Sequence, residues 1–146
     1  MKVDSILKKL AKEIKKANHT LYIVGGYVRD NLLEVNSTDI DITSSLDTDT
    51  LCELCEKLNL KTTLINKTLG TVQIKNKDCI YEYTRFRSES YSHGNHTPDK
   101  VEFIDDITID AKRRDFKIGR SALQEPCDFY ITQIRGYSLR LLSAAL

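Results

Sequence analysis

Asp39-Ile40-Asp41 and, shortly before it, Gly25-Gly26 are the residues whose types and spacing best suit chemistry. Successive side chains of a strand point to opposite faces, so Asp39 and Asp41 would share one face and Ile40 and Ile42 the other. Two carboxylates placed this way lie roughly 6.6 Å apart along the backbone, and their tips can converge on one or two hard cations. Magnesium takes oxygen ligands and keeps waters and substrate phosphates in its remaining positions. Two such ions can activate an attacking hydroxyl and steady a leaving pyrophosphate. Taken alone, the D-x-D favours a plainer reading, an exposed strand with its acids in water. The glycine pair changes that balance. A strand, two glycines and a helix start present backbone N–H groups to an anion, aided by the helix dipole. Triphosphate cradle and metal site would then come from adjacent elements.

The elements that must position these residues can be read from periodicity. Val3, Ile6, Leu7, Leu10, Ala11, Ile14 and Ala17 recur at helical spacing, with Asp4 or Ser5 available as cap. Leu21 to Val24 is a short apolar run, as expected of a strand buried on both faces. Gly25-Gly26 lets the backbone turn without a Cβ in the way. Tyr27 to Leu33 reads as a short helix and Asp39 to Thr43 as a strand. Leu51, Leu54, Cys55 and Leu58 mark a second helix, capped by Asp47 or Thr48. Lys61 to Ile65 reads as a strand. Thr71 to Lys75 and Cys79 to Arg85 read as a hairpin around Asn76-Lys77. Ser88 to Asp99 is polar and reads as a mobile loop, followed by a strand from Val101 to Ile104 and a helix from Asp105 to Arg114. Past Ile118 no clear pattern emerges.

At 146 residues the chain can build one domain with a real core. Its 22 basic and 21 acidic residues nearly cancel, so net charge selects no class of partner. Lysines crowd the first helix (Lys8, Lys9, Lys12, Lys15, Lys16), which is usually a solvated face and less often a nucleic-acid contact. No apolar run is long enough to span a bilayer, and the start lacks a signal-peptide core, so the reading is of a cytoplasmic protein without membrane contact. Cys52 and Cys55 form a C-x-x-C with no second pair at zinc-ribbon spacing; the same spacing puts both on one helix face as small apolar residues. His93 and His96 have no third ligand nearby, which disfavours zinc.

Gly25-Gly26-Tyr27-Val28-Arg29-Asp30 with Asp39-Ile40-Asp41 resembles the head-domain signature of the class II CCA-adding tRNA nucleotidyltransferase and bacterial poly(A) polymerase family. Further segments match in order: Leu69-Gly70-Thr71-Val72, Glu82 to Tyr91, Pro98 to Phe103, and Arg113-Arg114-Asp115-Phe116. The resemblance covers about residues 4 to 118. It implies an α/β fold, a polymerase-beta-like nucleotidyltransferase head with a mixed sheet flanked by helices. It implies metal-dependent transfer of CMP or AMP from CTP or ATP to the 3′-hydroxyl of an RNA, tRNA above all, with release of pyrophosphate. By the same resemblance Asp39 and Asp41 would bind Mg2+. Gly26 and Arg29 would hold the triphosphate, with Gly25 shaping the turn. Asp115 would lie near the ribose and Arg114 beside the nucleotide. Glu82 would complete the metal site or help deprotonate the RNA hydroxyl; a cross-strand ion pair is the equally weighted alternative. Helix-end charge pairing is the alternative for Arg113 and Arg114. The polar loop would be the mobile segment the family uses during catalysis.

The likeness stops within a motif. Where the family runs threonine, isoleucine, asparagine, alanine after Phe116, this chain has Lys117, Ile118, Gly119 and Arg120. The neck's Glu-Asp-x-x-Arg and the helical body do not occur. Residues 1–118 therefore read as the head and 119–146 as an atypical tail in place of the neck, with no body domain. A single-domain protein, an engineered fragment and a truncated or frameshifted remnant compete. The abrupt break favours a truncated or frameshifted gene; nucleotidyl transfer stays the leading reading of its function, with a non-catalytic remnant that binds nucleotide or RNA without turnover as the alternative. Apolar tail residues such as Phe129, Ile131 and Leu141 would cover the sheet or pair with a second copy, so a homodimer through tail or sheet is expected.

Overall fold

The computed structural model describes residues 3–25, 27, 30, 34, 36, 38–77, 79–113, 120–123, 129–132 and 140–142. Helix α1 (Ser5–Lys16) is capped by Asp4, whose carboxylate accepts from the Ile6 N–H at 3.1 Å. Strands β1 (Leu21–Val24) and β2 (Asp39–Ser44) follow, then helix α2 (Thr48–Lys57). Asp47 caps α2, accepting from both the backbone N–H and the hydroxyl of Thr50 at 2.8 Å. Strands β3 (Lys61–Asn66), β4 (Thr71–Lys75) and β5 (Ile80–Arg85) complete the central region. The short helix expected over Tyr27 to Leu33 falls mostly outside the described residues.

Among the described residues the strands, with β8 (Arg120–Leu123), β9 (Phe129–Thr132) and β10 (Arg140–Leu142), form an eight-stranded mixed sheet in the order β10-β9-β8-β1-β2-β5-β4-β3. β1 and β2 are antiparallel, whereas β2 and β5 are parallel neighbours. The α2–β3–β4 excursion supplies the crossover that a parallel pair requires. The β4–β5 hairpin forms as expected, closed by reciprocal backbone hydrogen bonds between Asn76 and Cys79.

One face of the sheet holds the core. Ile23, Ile40, Ile42, Val72, Ile74, Tyr81 and Tyr83 alternate onto it and pack with Leu7, Leu10 and Ile14 of α1 and Leu51 and Cys55 of α2. Two tyrosines can be buried there because their hydroxyls find acceptors. Tyr83 donates to the Leu46 carbonyl at 2.6 Å, and Tyr81 donates to Asp4 at 2.5 Å, tying the α1 cap to the sheet. Cys55 is fully buried, and burial with the neighbouring Cys52 pushes its thiol up to about 12. It stays protonated and serves as core, since the thiolate is the form that binds metal.

Two segments differ from the sequence-based expectation. Ser88 to Ser90 is not loop. β6 (Arg87–Ser90) pairs antiparallel with β7 (Lys100–Phe103) in a separate two-stranded sheet, leaving 91–99 as the connection. Arg-Ser-Glu-Ser shows no apolar alternation; its Arg87 and Glu89 side chains engage each other, Arg113 and the Leu69 carbonyl instead of an apolar core. After helix α3 (Ile107–Arg113), the region with no legible pattern contributes β8 (Arg120–Leu123), β9 (Phe129–Thr132) and β10 (Arg140–Leu142). β8 pairs with β1, Leu21 opposite Leu123, so the main sheet continues across residue 119.

Candidate active site

The face of the sheet opposite the helices carries the acids. Asp39 and Asp41 both project from it, Asp39 exposed and Asp41 half-buried. The parallel register sets Glu82 of β5 directly beside Asp41, and Glu82 is exposed. Three carboxylates thus share one face of two adjacent strands. Like charges directly opposite each other on neighbouring strands destabilise a sheet. An arrangement that keeps them together makes sense where a cation offsets the repulsion. The register also bears on Glu82's alternative role. Its neighbours across the strands are Asp41 and Gln73, neither of them a cation, so the pairing provides no cross-strand ion pair.

Gly25 belongs to the same place. β1 ends at Val24, which lies opposite Asp41, and Gly25 then adopts φ +79°, a left-handed conformation natural to glycine. A Cβ there would collide with Asp41 Oδ2 and stand 3.2 Å from its Cγ. The glycine turn and the second acid are therefore in close contact. That close approach is possible only because residue 25 has no side chain. Gly26, Arg29, Arg114 and Asp115 lie outside the described residues.

The carboxylates fit a hard divalent ion in donor type. Among the described residues no three His, Cys, Asp or Glu side chains close into a metal cage. A cleft of about 410 Å³, lined by His19, Tyr22, Ser45, Phe86 and Asp105 among others, opens beyond the far end of β2 and contains none of the three acids. His19 has a structural place in that cleft's wall, its Nδ1 2.6 Å from Ser45 Oγ.

Past the C-terminal end of β5 stands a buried charge cluster that sequence reasoning did not single out. Asp110 of α3 is 1% exposed and accepts from the Arg87 backbone N–H at 3.0 Å and from Arg113 Nε at 2.9 Å. Arg87 donates through Nη1 to the Leu69 carbonyl at 2.7 Å and through Nε to Glu89. Arg113 Nε also reaches the Arg87 carbonyl at 3.1 Å. Burial pushes the Glu89 carboxyl up, but hydrogen bonds from Tyr91 and Arg87 and the charges of Arg87 and Arg113 outweigh it and hold the carboxyl below its usual value. Arg113 thus follows the helix-end pairing alternative, its guanidinium turned to Asp110. The i, i+3 spacing of Asp110 and Arg113 was the available sequence signal. Gly70, at φ +65°, leaves room for Arg85 and for the Phe103 ring, which a Cβ would approach to 2.8 and 2.9 Å. The Gly-Thr-Val motif therefore seats the β6–β7 hairpin against the main sheet.

A mixed sheet with helices on one face and paired acids beside a glycine turn on the other defines a nucleotidyltransferase head. Residues 21–131 match the family model described as the poly A polymerase head domain, and the chain belongs to that family. The match runs past residue 118, where the motif likeness fades, and takes in β8 and most of β9. The CCA-adding enzyme of Staphylococcus haemolyticus is 33% identical over 123 residues, 84% of this chain and 30% of that protein. That of Streptococcus agalactiae is 38% identical over 117 residues, 80% of this chain and 28% of that protein. The chain therefore spans about three-tenths of the length of these relatives. Among solved structures, a CCA-adding enzyme in apo form II aligns with TM-score 0.68 at 24% identity, over 97% of this chain and 32% of that one. The Bacillus stearothermophilus CCA-adding enzyme in complex with CTP aligns with TM-score 0.67 at 24% identity, over 95% of this chain and 34% of that one. These two share the fold. Among the described residues, no helix is long and apolar enough to cross a membrane.

Proposed function

We propose that this chain is the catalytic head of a tRNA nucleotidyltransferase, moving CMP or AMP from CTP or ATP to an RNA 3′-hydroxyl and releasing pyrophosphate. The observation that carries the reading is the contact of Gly25 with Asp41, which joins the glycine turn and the acid pair in one place. Asp39 and Asp41 hold Mg2+. When bound, the metal neutralises charge on the triphosphate and lowers the pKa of the attacking hydroxyl. Gly25 and Gly26 let the backbone approach the triphosphate, and Arg29 adds its guanidinium. Glu82, beside Asp41 and facing solvent, accepts the proton of the RNA hydroxyl or steadies the metal end of the site. Arg114 flanks the nucleotide and Asp115 the ribose; arginine suits this because its planar fork of donors is always charged. Residues 1–118 supply these groups, and 119–146 stand where relatives continue into a neck while extending the head's sheet. Base choice between CTP and ATP has no source among the groups assigned here.

The test is incorporation of labelled CTP or ATP into tRNA with magnesium, comparing the chain with its Asp39→Ala, Asp41→Ala double variant. Loss of incorporation in the double variant with an unchanged melting temperature supports the reading. Equal incorporation in both sinks the mechanism. Stabilisation by nucleotide and magnesium without incorporation by either chain would instead support a binding domain without turnover.

A further inference from the structure

We propose that Asp110 is a positioning residue for nucleotide binding, the buried carboxylate through which the β6–β7 hairpin and α3 are held as one unit. This rests on the proposed function, in which Arg114 and Asp115 contact the nucleotide. Asp110 binds two elements at once. Its Oδ1 accepts from the backbone N–H of Arg87 on β6 and from Nε of Arg113 in the last turn of its own helix. Arg113 returns to β6 through the Arg87 carbonyl. Arg87 in turn anchors to the Leu69 carbonyl, in the turn that leads into β4. A continuous chain of hydrogen bonds therefore runs from that turn through β6 to Arg113, the last residue of α3. With Asp110 1% exposed, no water replaces it readily, so its removal leaves the Arg87 backbone N–H short of an acceptor and takes from Arg113 its bond to its own helix. Asp110 touches no substrate; it fixes where the chain leaves α3.

The full chain is compared with Asp110→Asn, which keeps an acceptor oxygen, and Asp110→Ala, which does not. Three quantities are read: amide hydrogen exchange at residue 87 and over 111–116, Mn2+ affinity in the absence of nucleotide, and ATP affinity with magnesium. In Asp110→Ala, exchange at Arg87 quickens and ATP binding weakens, each about tenfold, as expected for the loss of one buried hydrogen bond. Mn2+ affinity, which belongs to Asp39 and Asp41, stays as it was. Asp110→Asn recovers most of both losses. If Asp110→Ala does not fold, Asp110→Ser takes its place, being too short to reach either donor. Unchanged exchange at Arg87 in the alanine or serine variant overturns the proposal, as does a parallel fall of Mn2+ and ATP affinity, which would mark general loss of the fold. If the unmutated chain binds no ATP, the parent reading fails and the nucleotide half of this one with it. The exchange comparison then still decides whether Asp110 docks the hairpin.

Discussion

The two faces of strands β2 and β5 are made by the same backbone and have opposite character. On one, Ile40, Ile42, Tyr81 and Tyr83 are buried against α1 and α2. On the other, Asp39, Asp41 and Glu82 stand side by side with no apolar cover over Asp39 or Glu82. A period of two lets one strand serve both purposes. Stability is concentrated on the helix side, while the acidic side costs stability through like-charge repulsion. The comparison teaches that substitutions on the two faces should separate activity from folding.

The largest separation is expected from Asp39→Ala with Asp41→Ala. Incorporation should fall at least about a thousandfold, equivalent to roughly 4 kcal/mol of lost transition-state stabilisation, while calorimetry shows a melting temperature equal to or above that of the parent. A fall in melting temperature would mean that the acidic face is structural. Ile42→Ala, between the acids' strand neighbours but facing the helices, should cost about 2–5 kcal/mol in denaturant unfolding. Its effect on nucleotide affinity at temperatures where it is folded should be small. Gly25→Ala lies where the faces meet. Its positive φ and the collision with Asp41 should together cost about 1–3 kcal/mol, and nucleotide binding should drop along with stability. A stable, fully binding alanine variant would show that the close approach is not needed.

The smallest effect is the pH dependence of the helix side. For Asp4, burial raises the carboxyl, but the hydrogen bonds from Tyr81 and the Ile6 N–H outweigh it and lower it net. Asp47 is likewise pushed up by burial and lowered overall by Thr50 and the Arg85 charge. A carboxyl with a depressed folded pKa contributes stability that is present above its unfolded value. That stability is lost as pH falls through the folded one. Melting temperature should therefore decline as pH falls below the ordinary value of 3.8 for both groups. Asp47→Asn should make the decline shallower; an unchanged slope would remove Asp47 from the account.

The parts that were legible in the sequence follow from this division. α1, β1, β2, α2 and the β4–β5 hairpin announce themselves because burying one face imposes a period on the apolar residues. The shared face of the acids and the turn at Gly25 were readable because a strand's period fixes the one and glycine's freedom at positive φ the other. β6 was not readable, since Arg87 and Glu89 hold it by ion pairs and by backbone contacts to a helix more than twenty residues later. Tertiary partners of that kind leave no local pattern. Arg113's bond to the Arg87 carbonyl was not readable either, because its partner lies twenty-six residues away. The strands after residue 119 pair at one edge of β1, and their short apolar runs gave no register until that edge was in place.

The parallel pairing of β2 with β5 has a consequence for the order of assembly. Asp41 and Glu82 meet only when β5 returns across the whole α2–β3–β4 excursion, a non-local contact of the kind that slows folding. Pairing β2 with β5 thus brings two negative groups together, against electrostatic resistance that grows as salt is diluted. The rate at which this pair forms should therefore respond to ionic strength, slowing as salt is removed.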